Sequence, residues 1–472
     1  MPKSWHGANL KTSAIVILVG LLLWFMPVPE GLEPKTWQLF AIFVSTILAV
    51  ILKPLPIGGV ALLGITLCAA THTLTIEQCL SSFGSHVVWL VIFAFFLARG
   101  FIQTGLGSRI AYFFTATFGK STLGLAYGLT LSELLLAPMV PSNTARGAGI
   151  VFPVVRALAE ELGSTPAHHT ERKLGAYLIQ VCFQVNAITS AMFLTALVGN
   201  PLVASLAGAH GVVLDWLTWA KLAVVPGILN LIVLPAFIYR IYPPKMKKSP
   251  EAVDMAKARL RELGPLKTPE LIMVGTFAVL LVLWIFGSYL GVDPTVAAML
   301  GVSALVFSGV LTWGDLVKEK GAWETLVWFG ILLTMATFLN KFGFMQWFGG
   351  HVKTLVSGYT WPVALAILGA VYFYSHYFFA SITAHITSMY SAFLVVLLAA
   401  GAPPMVAAMS LAVFSSLSGP LTHYGTGTAP VFFGSHYVTV KDWWRVGLLS
   451  SFLNILIWGT VGAVWWRILG YY

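Results

Sequence analysis

Long uncharged apolar stretches recur along the whole chain and predict helices that cross a membrane. An α-helix needs about 20 predominantly apolar residues to span the hydrocarbon core of a bilayer. Segments of suitable composition lie at about 12–27, 36–52, 57–72, 83–104, 174–199, 220–241, 270–290, 294–313, 325–341, 404–420 and 444–468. The pattern therefore predicts an all-α polytopic membrane protein with about 11 transmembrane helices.

Two further pairs of shorter apolar segments predict re-entrant hairpins, which enter the membrane and leave it on the same side. The first pair is 122–140 with 145–160, and the second is 361–380 with 384–400. The polar residues between the members of each pair are too few to form a loop across the bilayer. Irregular backbone at membrane depth is tolerated only where protein or a water-filled cavity satisfies its polar groups. Both turns are therefore expected inside the protein.

The two halves of the chain resemble each other at a fixed spacing. Trp89 and Trp328 are 239 residues apart, and so are Ser142 and Ser381, which begin two similar polar motifs. Five crossings in each half would make these inverted-topology repeats, and coincidence between two Ser/Thr-rich stretches is the alternative. The predicted units are an N-terminal transmembrane helix at 1–35, a first repeat at 36–241 with hairpin 122–160, a cytoplasmic linker at 242–268, and a second repeat at 269–472 with hairpin 361–400.

Composition and charge narrow the class of protein. Hydrophobic residues make up 58% of the chain and charged residues 9%, against about 25% charged residues in a soluble domain. These values exclude a soluble enzyme, a nucleic-acid-binding protein and a secreted scaffold, and membrane lipid is a predicted partner. Nineteen of the 27 Lys and Arg residues fall in segments predicted to be cytoplasmic, and only Lys35, Lys353 and Arg467 fall outside. Because Lys and Arg favour the cytoplasmic side, the N-terminus is predicted inside and the C-terminus outside.

Each predicted hairpin turn carries a short polar motif suited to binding an anion. The motifs are Ser142-Asn143-Thr144-Ala145-Arg146 and Ser381-Ile382-Thr383-Ala384-His385. A helix that starts at the motif aims free backbone N–H groups and the positive end of its dipole at one point. Two such sites suit an anion with a carboxylate at each end, and Arg146 and His385 would place a cation beside each. The alternative is that Ser142 and Ser381 only cap helices while Arg146 reaches toward the cytoplasm.

Two other interruptions lie near the ends of predicted crossings, at 197–201 and 419–430. Gly and Pro cluster there with hydroxyl and amide side chains, as in the discontinuous helices that build binding sites in membranes. The candidate hydrogen-bond donors are Thr195, Asn200, Thr422, His423 and Thr426. A simple kink at Gly or Pro is the alternative for each of them.

Glu133 and His376 are further polar residues of the hairpin segments. Glu133 is expected to pair with Arg99, and carrying a proton or facing a cytoplasmic vestibule are the alternatives. His376 is expected near a membrane interface, where amphipathic side chains commonly place their polar ends.

The sequence contains no motif for a nucleotide, a redox cofactor or a catalytic metal. Walker loops, HExxH, CxxCH and dinucleotide fingerprints are absent. Cys68, Cys79 and Cys182 lack metal-binding spacing and are expected to be small core residues. No cofactor, no metal site and no enzymatic activity are therefore predicted.

Three motifs carry a resemblance to a known family. PSNTARGAGIVFPV at 141–154, SITAH at 381–385 and LTHYGTGTAP at 421–430 are similar to motifs of the divalent anion/sodium symporter (DASS) family. The likeness extends over almost the whole chain and is greatest to the bacterial di- and tricarboxylate exchanger branch with the citrate/succinate and tartrate/succinate antiporters. The chloroplast 2-oxoglutarate/malate translocators are relatives. The resemblance implies an elevator-type homodimer of eleven-helix protomers in the bacterial plasma membrane.

The chain departs from the sodium-coupled members of that family at two places. Ile382 stands where those members have Asn, and Gly199-Asn200-Pro201-Leu202-Val203 stands where they typically have Gly-Thr-x-Pro-Asn. Both segments help to coordinate sodium in those members, and a hard cation needs several convergent oxygen ligands. The resemblance therefore implies sodium-independent transport, with Arg146 and His385 supplying fixed positive charge.

The expected function is the exchange of C4 and C5 dicarboxylates, namely succinate, malate, fumarate, tartrate and 2-oxoglutarate, with the tricarboxylate citrate as a further candidate. An empty carrier with uncompensated buried charge would be costly to move, and a bound dianion would offset that charge. A sodium- or proton-coupled symporter, in which His385, His423 or Glu133 titrates, is the first alternative. A membrane-embedded enzyme acting on a lipid is the second.

Overall fold

The computed structural model describes residues 7–356 and 358–472 and consists of helices joined by short turns. The helices of the first half are α1 Leu10–Phe25, α2 Pro34–Leu52, α3 Ile57–Ala70, α4 Ile76–Leu80, α5 His86–Thr104, α6 Leu106–Phe118, α7 Thr122–Leu136, α8 Asn143–Arg146, α9 Phe152–Glu161, α10 Gly175–Met192, α11 Gly199–Gly208 and α12 Trp216–Ile241. A linker helix follows, α13 Pro250–Leu263.

The helices of the second half are α14 Thr268–Leu290, α15 Pro294–Phe307, α16 Trp313–Lys318, α17 Lys320–Lys341, α18 Phe344–Val356, α19 Trp361–Ser375, α20 Ile382–Ala399, α21 Pro404–Leu417, α22 Ala429–Phe433, α23 Val440–Ile457 and α24 Ala463–Ile468. Tighter 3₁₀ turns occupy Ser81–Gly84, Pro166–His168, Glu171–Lys173, Leu194–Ala196, His376–Phe378 and Gly419–Leu421. Wider π turns occupy Gly147–Val151 and Trp458–Gly462.

Eight of the described helical segments are long and apolar enough to cross a membrane, namely Pro34–Leu52, His86–Thr104, Trp216–Ile241, Thr268–Gly287, Lys320–Lys341, Ile382–Ala399, Pro404–Leu421 and Val440–Ile468. All but Ile382–Ala399, an arm of the second predicted hairpin, coincide with predicted crossings. The other predicted crossings fall on α1, α3 and α15, which have 16, 14 and 14 residues, and on the more polar α10. The prediction of an all-helical polytopic membrane protein is confirmed.

The order of the elements repeats along the chain at nearly the spacing seen in the sequence. Helices α3 (57–70) and α15 (294–307) are equally long and are separated by nearly the spacing of the two polar motifs. Helices α7 (122–136) and α19 (361–375) are separated by the motif spacing itself. The helices after the two hairpin turns begin at Asn143 and Ile382, which are equivalent positions of the two motifs. The equivalence of the two motifs thus extends to the helices that carry them.

Helix α10 lies at the centre of the molecule. Every residue from Gly175 to Met192 is buried, although the helix carries amide and hydroxyl side chains. It packs against α7 of the first hairpin, against α12 and against α21 of the other half. Since buried polar groups need hydrogen-bond partners, this helix brings polar side chains to the place where the two halves meet.

The linker between the halves is folded onto the first half. Helix α13 packs against α6, and backbone hydrogen bonds run from Ser249 N to the Lys120 carbonyl at 3.0 Å and from Thr122 N to the Lys247 carbonyl at 3.1 Å. An ion pair between Arg109 and Glu270, 2.6 Å from Nε to Oε1, connects α6 to α14. The linker therefore fixes the chain where the first hairpin begins.

Candidate functional site at the hairpin tips

Four irregular segments meet near the polar motifs, and each joins two helices. The first tip, residues 137–142, joins α7 to α8, and the second tip, residues 376–381, joins α19 to α20. The first break, residues 193–198, separates α10 from α11, and the second break, residues 418–428, separates α21 from α22. Such segments leave backbone N–H and C=O groups free of helical partners. The contacts among the four segments decide which of those groups can serve a ligand.

The two tips end in the same helix cap. Ser142 Oγ accepts a hydrogen bond from the N–H of Ala145 at 3.1 Å, and Ser381 Oγ accepts one from the N–H of Ala384 at 3.4 Å. The backbone N–H groups of the first helical residues have no acceptor within their own helix. Thr144 and Thr383 lie in these first turns and are half-buried. Both tips therefore present hydroxyl and N–H donors at a helix N-terminus.

The first tip also meets the second break. Asn143 Nδ2 donates to Thr426 Oγ1 at 3.0 Å. A Cβ placed on Gly427 would lie 2.5 Å from Thr144 Oγ1, so only glycine allows the backbone to approach this closely. Asn143, Thr144 and Thr426, three of the predicted site residues, are therefore in one place.

Arg146 lies inside the protein and uses all of its donors on protein groups. Its side chain is 0% exposed, and an arginine has five N–H donors. The acceptors are Glu133 Oε1 at 2.6 Å, the carbonyls of Val140 and Ala196 at 2.7 and 2.9 Å, Ser190 Oγ at 2.8 Å and Thr189 Oγ1 at 3.5 Å. The structure thus places Arg146 between the first tip and the first break, where no N–H group is left for a substrate carboxylate.

Glu133 is the buried counter-charge of Arg146. Its Oε1 accepts from Arg146 and also from Asn186 Nδ2 at 2.6 Å and Thr189 Oγ1 at 3.4 Å. The expected pairing of Glu133 with Arg99 is wrong. Arg99 instead lies within electrostatic range of Asp315 in α16.

Thr195 and Asn200 shape the first break through hydrogen bonds to the backbone. Thr195 Oγ1 donates to the Pro138 carbonyl of the first tip at 3.0 Å. Asn200 Nδ2 donates to the carbonyls of Ser190 and Phe193, at 2.7 and 2.9 Å, where α10 ends. Both side chains are buried, and their hydrogen bonds stabilise the turn between α10 and α11.

His385 lies in an aromatic enclosure within the second hairpin. Its Nε2 is 3.0 Å from Ser375 Oγ. The ring centroids of Tyr372, His376 and Phe379 lie 4.3, 5.0 and 5.0 Å from that of His385. The side chain is buried, and its contacts belong to its own hairpin.

The second break contains three of the predicted site residues, and their surroundings differ. Thr422 is buried, and its Oγ1 has no hydrogen-bond partner among the described residues. His423 Nδ1 instead accepts from Trp444 Nε1 at 3.0 Å, and its ring packs 4.7 Å from that of Phe433. The predicted residues that lie at the helix starts after the two tips or in the second break, and that are buried or half-buried, are Ser142, Asn143, Thr144, Ser381, Thr383, Thr422 and Thr426.

His376 lies at the second tip, inside the protein. It is fully buried, and its Nε2 lies 2.8 Å from the carbonyl oxygen of Gly425 in the second break. The expectation that its polar end reaches toward a membrane interface is therefore wrong. The sequence feature that points to a role for His376 is its position shortly before the polar motif that begins at Ser381.

Comparison with known proteins identifies the family. The family described as the sodium:sulfate symporter transmembrane region matches residues 8–472, nearly the whole chain. The chain belongs to this family. It is therefore a membrane transporter rather than an enzyme.

Several relatives of this symporter-family member match over almost its full length. The putative malate transporter YflS of Bacillus subtilis strain 168 is 53% identical over 465 residues, 98% of this chain and 97% of that protein. The chloroplastic dicarboxylate transporter 1 of Spinacia oleracea is 49% identical over 469 residues, 99% of this chain and 82% of that protein. The inner membrane protein YbhI of Escherichia coli K12 is 37% identical over 464 residues, 96% of this chain and 97% of that protein.

A solved structure supports the fold of this family member. The YdaH transporter of Alcanivorax borkumensis superimposes with a TM-score of 0.55, covering 98% of this chain and 97% of that chain. The two sequences are 12% identical, so this likeness concerns the fold alone. It agrees with a polytopic helical transporter.

Proposed function

We propose that this protein carries C4 and C5 dicarboxylates across the membrane by sodium-independent exchange. The names of two relatives, a putative malate transporter and a dicarboxylate transporter, support this substrate class. The paired tips support it chemically, because two helix N-termini with neighbouring hydroxyl groups suit an anion with two carboxylates. The substrate-binding residues we propose are Ser142, Asn143, Thr144, Ser381, Thr383, Thr422 and Thr426. Arg146, Thr195 and Asn200 hold the surrounding backbone, and His385 packs within the second hairpin.

The hydrogen bonds of Arg146 carry the proposal of sodium independence. Its Nη1 lies 2.7 Å from the Val140 carbonyl and 2.9 Å from the Ala196 carbonyl, one oxygen from the first tip and one from the first break. A sodium ion between a tip and a break would need such convergent oxygens. A covalently attached guanidinium already takes them, so binding of substrate need not be linked to a soluble cation.

The second half also supports sodium independence, through the apolar side chain of Ile382. The Cδ1 of Ile382 lies 2.9 Å from the position of a Cβ on Gly419, so its hydrocarbon packs directly on the second break. An amide at this position would offer an oxygen, whereas isoleucine offers none. His385, the counterpart of Arg146, is also buried.

Charge movement supports exchange rather than one-way transport. Arg146 is neutralised by Glu133, so uncompensated charge on the empty carrier is not a reason for exchange. A dianion that crosses alone moves two charges, and against a potential of 100 mV this costs about 4.6 kcal/mol, twice the value for one charge. Exchange of one dianion for another avoids that cost, because the potential then acts equally in both directions.

An elevator motion in a homodimer is part of the proposal. Both tips are hydrogen-bonded to breaks, through Asn143 to Thr426, Thr195 to Pro138 and His376 to Gly425. Segments connected in this way would move together as one body that carries the substrate site. The proposed location is a bacterial plasma membrane with the N-terminus in the cytoplasm and the C-terminus outside.

Counterflow into proteoliposomes tests the proposal. Vesicles preloaded with malate should take up labelled malate or succinate at the same rate in sodium and in potassium buffer, whereas empty vesicles should take up little. A panel of 2-oxoglutarate, fumarate, tartrate and citrate inside the vesicles would rank the counter-substrates. Uptake into empty vesicles driven by a sodium gradient would contradict exchange and favour the symporter alternative.

A further inference from the structure

His376 makes a hydrogen bond between the second tip and the second break. Its Nε2 lies 2.8 Å from the carbonyl oxygen of Gly425. A carbonyl oxygen can only accept, so the hydrogen must be on Nε2 of the imidazole. The side chain is 0% exposed, so bulk water does not compete for this hydrogen bond.

A second hydrogen bond joins the same two segments in the opposite direction. The hydroxyl of Tyr424 in the second break donates to the carbonyl of Tyr377 in the second tip at 2.9 Å. Consecutive residues of the tip therefore pair with consecutive residues of the break. Two crossed bonds resist sliding of one segment past the other better than one bond does.

The contact lies beside the proposed substrate residues. A Cβ on Gly425 would be 3.1 Å from His376 Nε2 and 3.0 Å from Thr422 Oγ1. The imidazole and the Thr422 hydroxyl thus approach the same glycine from two sides. A shift of His376 would be transmitted to the segment that carries Thr422 and Thr426.

His385 does not make this connection, although it is the repeat counterpart of Arg146. Its polar contact, at 3.0 Å, is with Ser375 of its own hairpin. In the first half, by contrast, Arg146 reaches the Ala196 carbonyl of the break. In the second half, the side chain that connects the tip to the break is therefore His376, which precedes His385 in the chain.

We propose that His376 is a positioning residue, which holds the second break against the second tip so that Thr422 and Thr426 face the substrate. This inference rests on the proposed function for its effect on transport, but the hydrogen bond itself can be tested without any substrate.

A matched pair of amide variants separates this role from general packing. In His376→Gln the amide nitrogen can take the place of Nε2, whereas in His376→Asn the same amide falls one methylene short. His376→Ala removes the donor altogether, and His168→Ala changes an exposed histidine in the turn Pro166–His168 as a control. A buried carbonyl that loses its donor is costly, so His376→Asn and His376→Ala should behave alike.

The first measurement is hydrogen–deuterium exchange of peptides that cover residues 419–430. Exchange should be about tenfold faster in His376→Asn and His376→Ala than in wild type, because the break opens locally more often. His376→Gln and His168→Ala should stay close to wild type. Equal exchange in the Gln and Asn variants would overturn the proposal.

The second measurement is malate counterflow. His376→Asn should raise the half-saturating concentration about tenfold with a smaller change in maximal rate, and His376→Gln should restore most of the affinity. An unchanged half-saturating concentration in His376→Asn would contradict the positioning role. If wild type transports no dicarboxylate while the exchange contrast persists, the proposed function fails and the hydrogen bond stands.

Discussion

The two hairpin tips share a backbone design and differ in the side chains beneath it. The repeat spacing that pairs Ser142 with Ser381 also pairs Arg146 with His385 and Glu133 with Tyr372. In the first half the pair is ionic, with Nε 2.6 Å from Oε1. In the second half the pair is aromatic, with the two ring centroids 4.3 Å apart. The same structural position is therefore stabilised by charge in one repeat and by aromatic packing in the other.

Helices α10 and α21, which end at the two breaks, also have different partners in the two halves. Ser190 of α10 accepts from Arg146 at 2.8 Å, and Ser415 of α21 is 2.7 Å from the hydroxyl of Tyr372. Each serine lies the same distance along the chain before the 3₁₀ turn of its break, Leu194–Ala196 or Gly419–Leu421. The repeat thus keeps the geometry of the tip, while its electrostatics are free to diverge.

The largest expected effect comes from breaking the ionic pair of the first half. Glu133→Gln leaves Arg146 buried without a counter-charge, and removing one partner of such a pair costs about 3–5 kcal/mol. Arg146→Met leaves two carbonyl oxygens without donors and should be similarly damaging. Thermal unfolding of the purified protein should show both losses, and the double variant should lose less than their sum. Strictly additive losses would mean that the two residues act separately.

Tyr372→Phe is the matched change in the second half and should cost less. It removes only the hydroxyl that meets Ser415, and a neutral hydrogen bond contributes about 1 kcal/mol. The ring contact with His385 is retained. If Tyr372→Phe lost as much stability as Glu133→Gln in the same unfolding assay, the contrast between the Arg146–Glu133 ion pair and the His385–Tyr372 aromatic pair would be refuted.

An effect of similar size, well below that of Glu133→Gln, is expected where the two tips are built alike. The carbonyls of Pro138 and Tyr377 occupy equivalent positions of the repeat, and each accepts from a hydroxyl of its own repeat's break, Thr195 or Tyr424. Tyr424→Phe should destabilise the protein by about 1 kcal/mol. Thr195→Val should cost more, because it also removes the acceptor of Trp216 Nε1. Unfolding curves of the two variants would show this order, and the reverse order would contradict it.

The smallest effect on transport is expected from cysteines that report the sidedness of the two halves. Glu251 in α13 and Gly358 before α19 are both exposed. Cysteine at Glu251 should react with an impermeant maleimide only from the cytoplasm, and cysteine at Gly358 only from outside. The native cysteines Cys68, Cys79 and Cys182 are buried and should give little background. Labelling of both positions from one side would exclude inverted repeats.

The membrane-protein class, the places of the hairpin turns and the serine caps of both tips can be predicted without knowledge of the packing. These features are local. An apolar run must lie in lipid or protein, and a Ser at the start of a helix can cap it whatever the rest of the chain does. Composition also predicts the polar linker but not its helix α13, because hydropathy alone does not separate a polar helix from a loop.

Which polar groups hold the backbone, and which are left without a protein partner, depends on how the helices pack. Asn143 meets Thr426, 283 residues away, and Arg146 meets Ala196, 50 residues away. The partner of His376, the carbonyl of Gly425, lies in the second break and likewise depends on the packing. In a membrane protein the lipid-facing and core-facing surfaces of a helix are both apolar, so the pattern along the chain does not show which face is inside. Hydrogen-bond partners that are distant in sequence are fixed only when those faces pack.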